Sequence, residues 1–260
     1  MSSSLQPALL CTVRGCRLPL VREQRRAACA RGHSFDVARS GYINLLQPQD
    51  KRSKHPGDSA EAVAARRRLH DLGVTRPLLR AIAELIKLSA DDVVLDAGCG
   101  DGYYLGNLAQ ENAHGIDISI PAVDAAAKRY PNCEWIVANA DRFVPYAEQS
   151  FSAILSITAR MNSPEFRRVI KDDGRLLIAI PSPDDLMEFR GTGHDRAART
   201  IETFAKEFVL AEQRRATATA DLTAEAASDV LLSIYRPLRK EPITATRVTL
   251  GLDLLLFRPR

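Results

Sequence analysis

Apolar positions change their spacing several times along the chain, and each change marks an element. Between residues 77 and 88, Leu78, Ile82, Leu85 and Ile86 recur at helical spacing, which predicts an amphipathic helix of about three turns. Short apolar runs then alternate with helical patterns. Strands are predicted at 92–96, 113–118, 134–138, 151–157, 174–180, 207–213 and 246–257. Helices are predicted near 102–111, 120–129, 163–170, 184–190, 196–205 and 223–235. Such alternation builds an α/β fold: seven strands in a mostly parallel, doubly wound sheet. The last strand alternates and then turns continuously apolar, so the final pair is expected to close as an antiparallel hairpin. Ahead of this region, Asp58 or Ser59 can cap a helix that runs to about Leu72 and stops near Gly73. Glu61 stands where a capping-box partner of Asp58 would be.

The first strand of the alternation ends in Asp96-Ala97-Gly98-Cys99-Gly100-Asp101-Gly102. Glycine at every second position lets the backbone bend sharply and approach a ligand closely. A strand, turn and helix in this order present free N–H groups above the sheet. A dinucleotide fingerprint needs a third glycine at position 103, where Tyr103 stands. The D-x-G-x-G-x-G pattern resembles motif I of the class I S-adenosylmethionine (SAM) methyltransferases, which implies a Rossmann-like fold. By that resemblance Asp96, Gly98, Gly100, Asp101 and Gly102 seat the methionine part of SAM. An acid ending the second strand, Asp117 followed by Ile118, holds the ribose hydroxyls. A carboxylate can accept two charge-assisted hydrogen bonds from a diol, and a sulfonium with an ammonium favours acids nearby. In the same family type an acid after the third strand accepts from the adenine amino group, which points to Asp141. On the residues alone, an ordinary turn with incidental glycines or a nicotinamide-type site stays open.

Composition adds direction. Hydrophobic residues make up 45% of 260, ample for a core, and no run of 18 apolar residues suggests a membrane span. The start lacks a basic region followed by a long apolar stretch, so a cytoplasmic protein with reduced thiols is expected. Residues 1–90 carry 16 lysines and arginines against 7 acids, whereas 91–260 carry 20 against 25. A basic front on a mildly acidic rear suggests a polyanionic partner met by the front, a solvated basic face being the alternative.

The front also holds Cys11, Cys16, Cys29 and His33, in the order C-x4-C-x12-C-x3-H. Two close ligand pairs separated by a hairpin suit a tetrahedral zinc ion, with Gly32 giving the tight turn before the last ligand. Four protein ligands make such a site structural rather than catalytic. Buried free thiols are the plain alternative.

Beyond this cluster run His33-Ser34-Phe35-Asp36-Val37-Ala38-Arg39-Ser40-Gly41-Tyr42-Ile43-Asn44-Leu45-Leu46, then Lys51-Arg52-Ser53-Lys54-His55-Pro56-Gly57-Asp58-Ser59, then Ala65-Arg66-Arg67. In this order, after a zinc module and before a SAM domain, they resemble the bacterial 23S rRNA (guanine-N1)-methyltransferase family of the RlmA type. The resemblance runs from about Cys11 to about Gly191. It implies SAM-dependent methylation of N1 of a guanine in a 23S rRNA hairpin, a zinc ion and a homodimer. The chain then divides into a zinc-binding module (1–45), a basic linker and helix (46–75) and a SAM-dependent methyltransferase domain (76–260). Lys51, Arg52 and Lys54 form a basic loop able to grip phosphates. After the fourth strand stands Ile157-Thr158-Ala159-Arg160, where many amino-group methyltransferases carry an Asp/Asn-Pro-Pro-aromatic motif. Arg160 could balance charge on guanine O6, or serve as a surface ion-pair partner. Tyr103, Tyr104 or Phe189 could stack on the base, or belong to the core. No general base is assigned. A methyltransferase acting on a small molecule and an inactive RNA-binding relative remain the alternatives.

Overall fold

The computed structural model describes residues 6–50, 56–109, 111–234 and 244–260. The basic loop of Lys51, Arg52 and Lys54 lies outside the described residues. Three short antiparallel strands open the chain: β1 (Leu20–Arg22), β2 (Arg26–Cys29) and β3 (Ser34–Asp36). They are followed by β4 (Ile43–Asn44), α1 (Ala60–Asp71) and α2 (Arg76–Ile86). The alternating region is β5 (Val94–Ala97), α3 (Tyr103–Leu108), β6 (Ala113–Asp117), α4 (Ile120–Arg129), β7 (Glu134–Val137), β8 (Phe151–Ile157) and α5 (Ser163–Val169). It continues through β9 (Ile170–Pro181), α6 (Met187–Arg190), α7 (Ala197–Phe204), β10 (Phe208–Leu222), α8 (Ala224–Ser233) and β11 (Thr246–Pro259).

The large sheet has the order β10-β11-β9-β8-β5-β6-β7-β4. Strands from β9 to β4 run parallel, and β11 lies antiparallel between β9 and β10. The predicted seven strands are present, and an eighth joins them. Ile43 and Asn44 pair with Ile136 and Val137, so the front of the chain supplies the sheet's outermost strand. Two residues carry too little periodic signal to be read as a strand in advance. β10 also runs nine residues past its expected end at 213, through Ala216, Thr217, Ala218, Thr219 and Ala220. Those small and polar residues carry little hydrophobic signal, and the ladder with β11 holds them extended.

Helix ends follow local chemistry. The side chain of Ser59 caps α1 by accepting from Ala62 N at 3.2 Å. Asp58 is therefore not the cap, and the expected capping box with Glu61 does not form; the Asp58 carboxylate meets Arg66 at 2.7 Å instead. Helix α2 begins with Pro77 in its first turn and buries Leu78, Ile82, Leu85 and Ile86, the four residues its period marks.

Each sheet face carries a core. One joins Tyr146, Phe151, Phe166, Phe204, Phe208 and Phe257 to Leu9, Cys11, Ala27 and Phe35 of the front module. The other packs α2 and α4 against the opposite face. A third, smaller cluster links Leu69 and Val74 to Leu222, Ala226, Val230 and Val248, which ties α1 to α8. Helix α8 lies in the connection between β10 and β11, beyond the carboxyl end of β10, and packs against α1.

Candidate cofactor turn and metal centre

Four side chains from the front converge on one point. The ligand atoms of Cys11, Cys16, Cys29 and His33 all lie within 4.8 Å of one another. His33 Nδ1 stands 3.4 Å from the Cys11 sulfur and 3.5 Å from that of Cys29, and the Cys16 and Cys29 sulfurs are 3.8 Å apart. A tetrahedral zinc ion with bonds of about 2.3 Å to sulfur and about 2.0–2.1 Å to nitrogen places its ligands about 3.5–3.8 Å apart. These three edges fit that tetrahedron. Cys11 and Cys29 are buried, and the turn at Gly32 has φ +81°, as the last ligand pair requires. Cys99 and Cys133 are elsewhere and take no part in the cluster.

The glycine bend lies where β5 meets α3. Gly98, Gly100 and Gly102 have φ of +91°, +54° and +77°, backbone that other residues rarely adopt. Space excludes side chains as well: a Cβ on Gly98 would stand 2.3 Å from the Ala159 Cβ, and one on Gly102 would stand 2.5 Å from the Trp135 ring. The turn after β8 thus closes directly over the bend, with Thr158 at φ +52°.

Three acids surround this bend. Asp96 is buried, and its Oδ1 has no hydrogen-bond partner among the described residues. Burial first, and then Asp117, push its carboxyl up to about 8. Asp117 ends β6. Its Oδ2 accepts from Gly100 N at 3.0 Å and its Oδ1 from Ser119 N at 2.8 Å, which fixes the carboxylate over the turn. Burial raises its pKa, and Ile118 follows it half-buried. Asp101 is buried beside His70, whose Nε2 lies 3.7 Å from Asp101 Oδ1. Burial, followed by the nearby Arg66 and Arg129, depresses His70 to about 3, so this approach is dipolar and not ionic. A cationic ligand over the bend would supply the partner that Asp96 lacks. Together with the glycine cradle, this fits a compound bearing a sulfonium and an ammonium.

Asp141 sits apart from these acids, on the loop after β7. Arg160 Nε is 3.5 Å from its Oδ2, and Asn162 Nδ2 donates to its carbonyl at 2.9 Å. Arg160 is 68% exposed and is an ion-pair partner here. Of the aromatic candidates, Tyr103 is buried and stacks on His70 with centroids 3.8 Å apart, and Phe189 packs on the third core cluster. Sequence reasoning missed the contribution of α1 to this site. His70 is held by Thr75 at 2.7 Å, and Arg66 reaches the glycine bend from a helix far upstream of it. Consecutive arginines at 66–68 give no sign of which one points inward.

Comparison with known proteins places both halves. Residues 10–54 match the zinc-ribbon family model described as RlmA, N-terminal, and residues 94–178 match the methyltransferase domain model. A relative from Streptomyces fradiae, named 23S rRNA (guanine(748)-N(1))-methyltransferase, is 33% identical over 231 residues, covering 83% of this chain and 81% of its own. A relative from Micromonospora griseorubida, provisionally named 23S rRNA (guanine-N(1)-)-methyltransferase, is 34% identical over 212 residues, covering 72% of this chain and 70% of its own. Among solved structures, the complex of the Haloferax volcanii Trm112 methyltransferase activator with its methyltransferase contains a similar chain. That likeness has a TM-score of 0.51 at 19% identity, covers 76% of this chain and 97% of that one, and shows the fold.

Proposed function

The chain belongs to the 23S rRNA (guanine-N1)-methyltransferase family, and on that footing we propose that it methylates N1 of a guanine in a 23S rRNA hairpin. The protein is a SAM-dependent methyltransferase with an N-terminal zinc ribbon. The observation that carries the reading is the glycine bend flanked by Asp96 and Asp117, in a chain whose front holds a closed four-ligand metal cluster. When bound, SAM supplies an electrophilic methyl group on a sulfonium.

The chain's own residues seat, orient and enclose. Asp117 is the acceptor for the ribose hydroxyls, already oriented by the Gly100 and Ser119 amides. Asp96 answers the positive charge of the methionine part. Gly98, Gly100, Asp101, Gly102 and Ile118 shape the cradle, and Asp141 is the acceptor for the adenine amino group. Ala159, seated on Gly98, fixes where the 157–160 turn ends and so where an acceptor base can approach. In-line transfer draws much of its acceleration from this alignment. Guanine N1 lies on the Watson–Crick edge, so the target base must be unpaired or turned out of its stack. N1 also surrenders a proton, which passes to water as the methyl group arrives. Cys11, Cys16, Cys29 and His33 hold zinc in a structural role and give the basic front a fixed shape for rRNA. The working form is read as a cytoplasmic homodimer; no helix among the described residues is long and apolar enough to cross a membrane. The units are the zinc module (1–45), the linker and helix (46–75) and the methyltransferase domain (76–260).

The test is mass mapping of 23S rRNA from cells lacking this gene. One N1-methylguanine should disappear, return with the intact gene, and stay absent with the Asp117→Ala form. An unchanged methylation map alongside intact SAM binding would redirect the reading to another methyl acceptor.

A further inference from the structure

Three arginines stand in a row on α1, and the structure separates their tasks. Arg68 donates twice to Asp229 of α8, at 2.8 and 2.6 Å. Arg66 turns toward the glycine bend. Its Nη2 donates to Ser233 O at 3.0 Å and meets Asp58 Oδ2 at 2.7 Å. Its Nη1 is the nearest atom to the place a Cβ on Gly100 would take, 3.4 Å away. Asp58 is itself anchored on the site: Ser119 Oγ, at the cap of α4 two residues after Asp117, donates to its carbonyl at 2.7 Å.

Acids crowd the bend. Asp58, Asp96, Asp101 and Asp117 converge there, and the positive charge of Arg66 opposes the upward pKa shifts of Asp101 and Asp117. SAM carries two cationic groups and one carboxylate. The cations suit the acids, but the carboxylate would face repulsion unless a cation accompanies it. Arg67 and Arg129 also act on Asp101, and Arg129, like Arg66, is engaged by an acid, Asp71 at 2.6 Å; what sets Arg66 apart is its second guanidinium nitrogen, Nη1, which stands beside the turn at Gly100. A guanidinium is suited to a carboxylate because its fork matches both oxygens. We propose that Arg66 is the counter-charge for the methionine carboxylate of SAM, a positioning residue brought in by α1 from outside the alternating strands and helices. This rests on the cofactor reading above.

The experiment is calorimetric titration of the full chain with SAM and with decarboxylated SAM, which keeps the sulfonium and amine and lacks only the carboxylate. Wild-type protein should prefer SAM by about ten- to a hundredfold, the usual range for a charge-assisted pair. Arg66→Met should bind the two compounds about equally, while Asp58→Asn, which breaks the same ion pair from the other side, keeps the preference. Circular dichroism checks folding; if the Met variant is unfolded, Arg66→Gln gives the same comparison. A folded Arg66 variant that retains the wild-type preference overturns the proposal, as does a wild type with no preference. Wild-type protein that binds neither compound is a separate result: it strikes at the cofactor reading and takes this inference with it.

Discussion

A methyl group added at Gly98 meets two obstacles, a φ of +91° and an Ala159 Cβ only 2.3 Å away. Strain and overpacking together cost roughly 2–4 kcal/mol. Gly98→Ala should therefore lower the melting temperature and abolish the further rise that SAM gives the wild type, both visible in thermal scans with and without SAM. Asp96 offers a test in pH. Its carboxyl stands at about 8 in the fold against an ordinary value of 3.8, so the fold penalises the ionised form. Its contribution to the stability of the cofactor-free protein is full below about pH 4 and is lost as pH rises through 8. A cationic ligand prefers the ionised carboxylate. SAM binding should thus weaken as pH falls below 8 and should release a proton, read from titrations at pH 7 in buffers of different ionisation heat. Asp96→Asn should remove both the proton release and the stability loss; proton release unchanged in that variant would refute the assignment. The glycines and the two strand-end acids were legible because a turn's chemistry is local. Arg66 and His70 were not, since only tertiary packing brings α1 over the bend.

The zinc ribbon is too short to bury a core of its own, so its metal holds it together. It is also bound to its neighbour: Leu10 N donates to Pro145 O at 2.9 Å, and Leu45 N to Val137 O at 2.9 Å. Stripping the metal with a chelator should expose amides of β2, β3 and β4 to hydrogen exchange, while β8 and β9 stay protected; uniform protection before and after would contradict a structural ion. Cys29→Ser should reproduce the chelated pattern. Elements with strong periodicity were legible in the sequence, α2 and the parallel strands β5 to β8 among them. The missed features share a physical cause. Strand β4 is too short to show a period, and the far half of β10 alternates only small alanines with polar residues, a weak signal, so a partner strand defines each. Helix α8 was predicted as a helix, but its packing against α1 depends on the Leu69 and Val230 cluster, which joins positions about 160 residues apart.

Across the whole molecule, charge is divided as sharply as structure. All seven arginines from Arg14 to Arg39 are exposed on the front module, and the rear of the chain carries net negative charge. Binding to phosphates releases counterions, so affinity for rRNA should fall linearly with salt on logarithmic axes. Replacing Arg14 and Arg25 with serine should flatten that line by about 0.7–0.9 for each phosphate that the two side chains neutralise. A slope that does not respond would move the RNA-binding face elsewhere. The charge division was plain in the sequence, as was the division into a metal-held front and an alternating rear. Less visible was that the front completes the rear's sheet through Ile43 and Asn44. A chain trimmed to begin at residue 76 would leave the outer amides of β7 bare, and exposed strand edges invite other chains to add on. Such a fragment should stick to copies of itself and precipitate, so the zinc module doubles as the guard that keeps the methyltransferase domain dispersed.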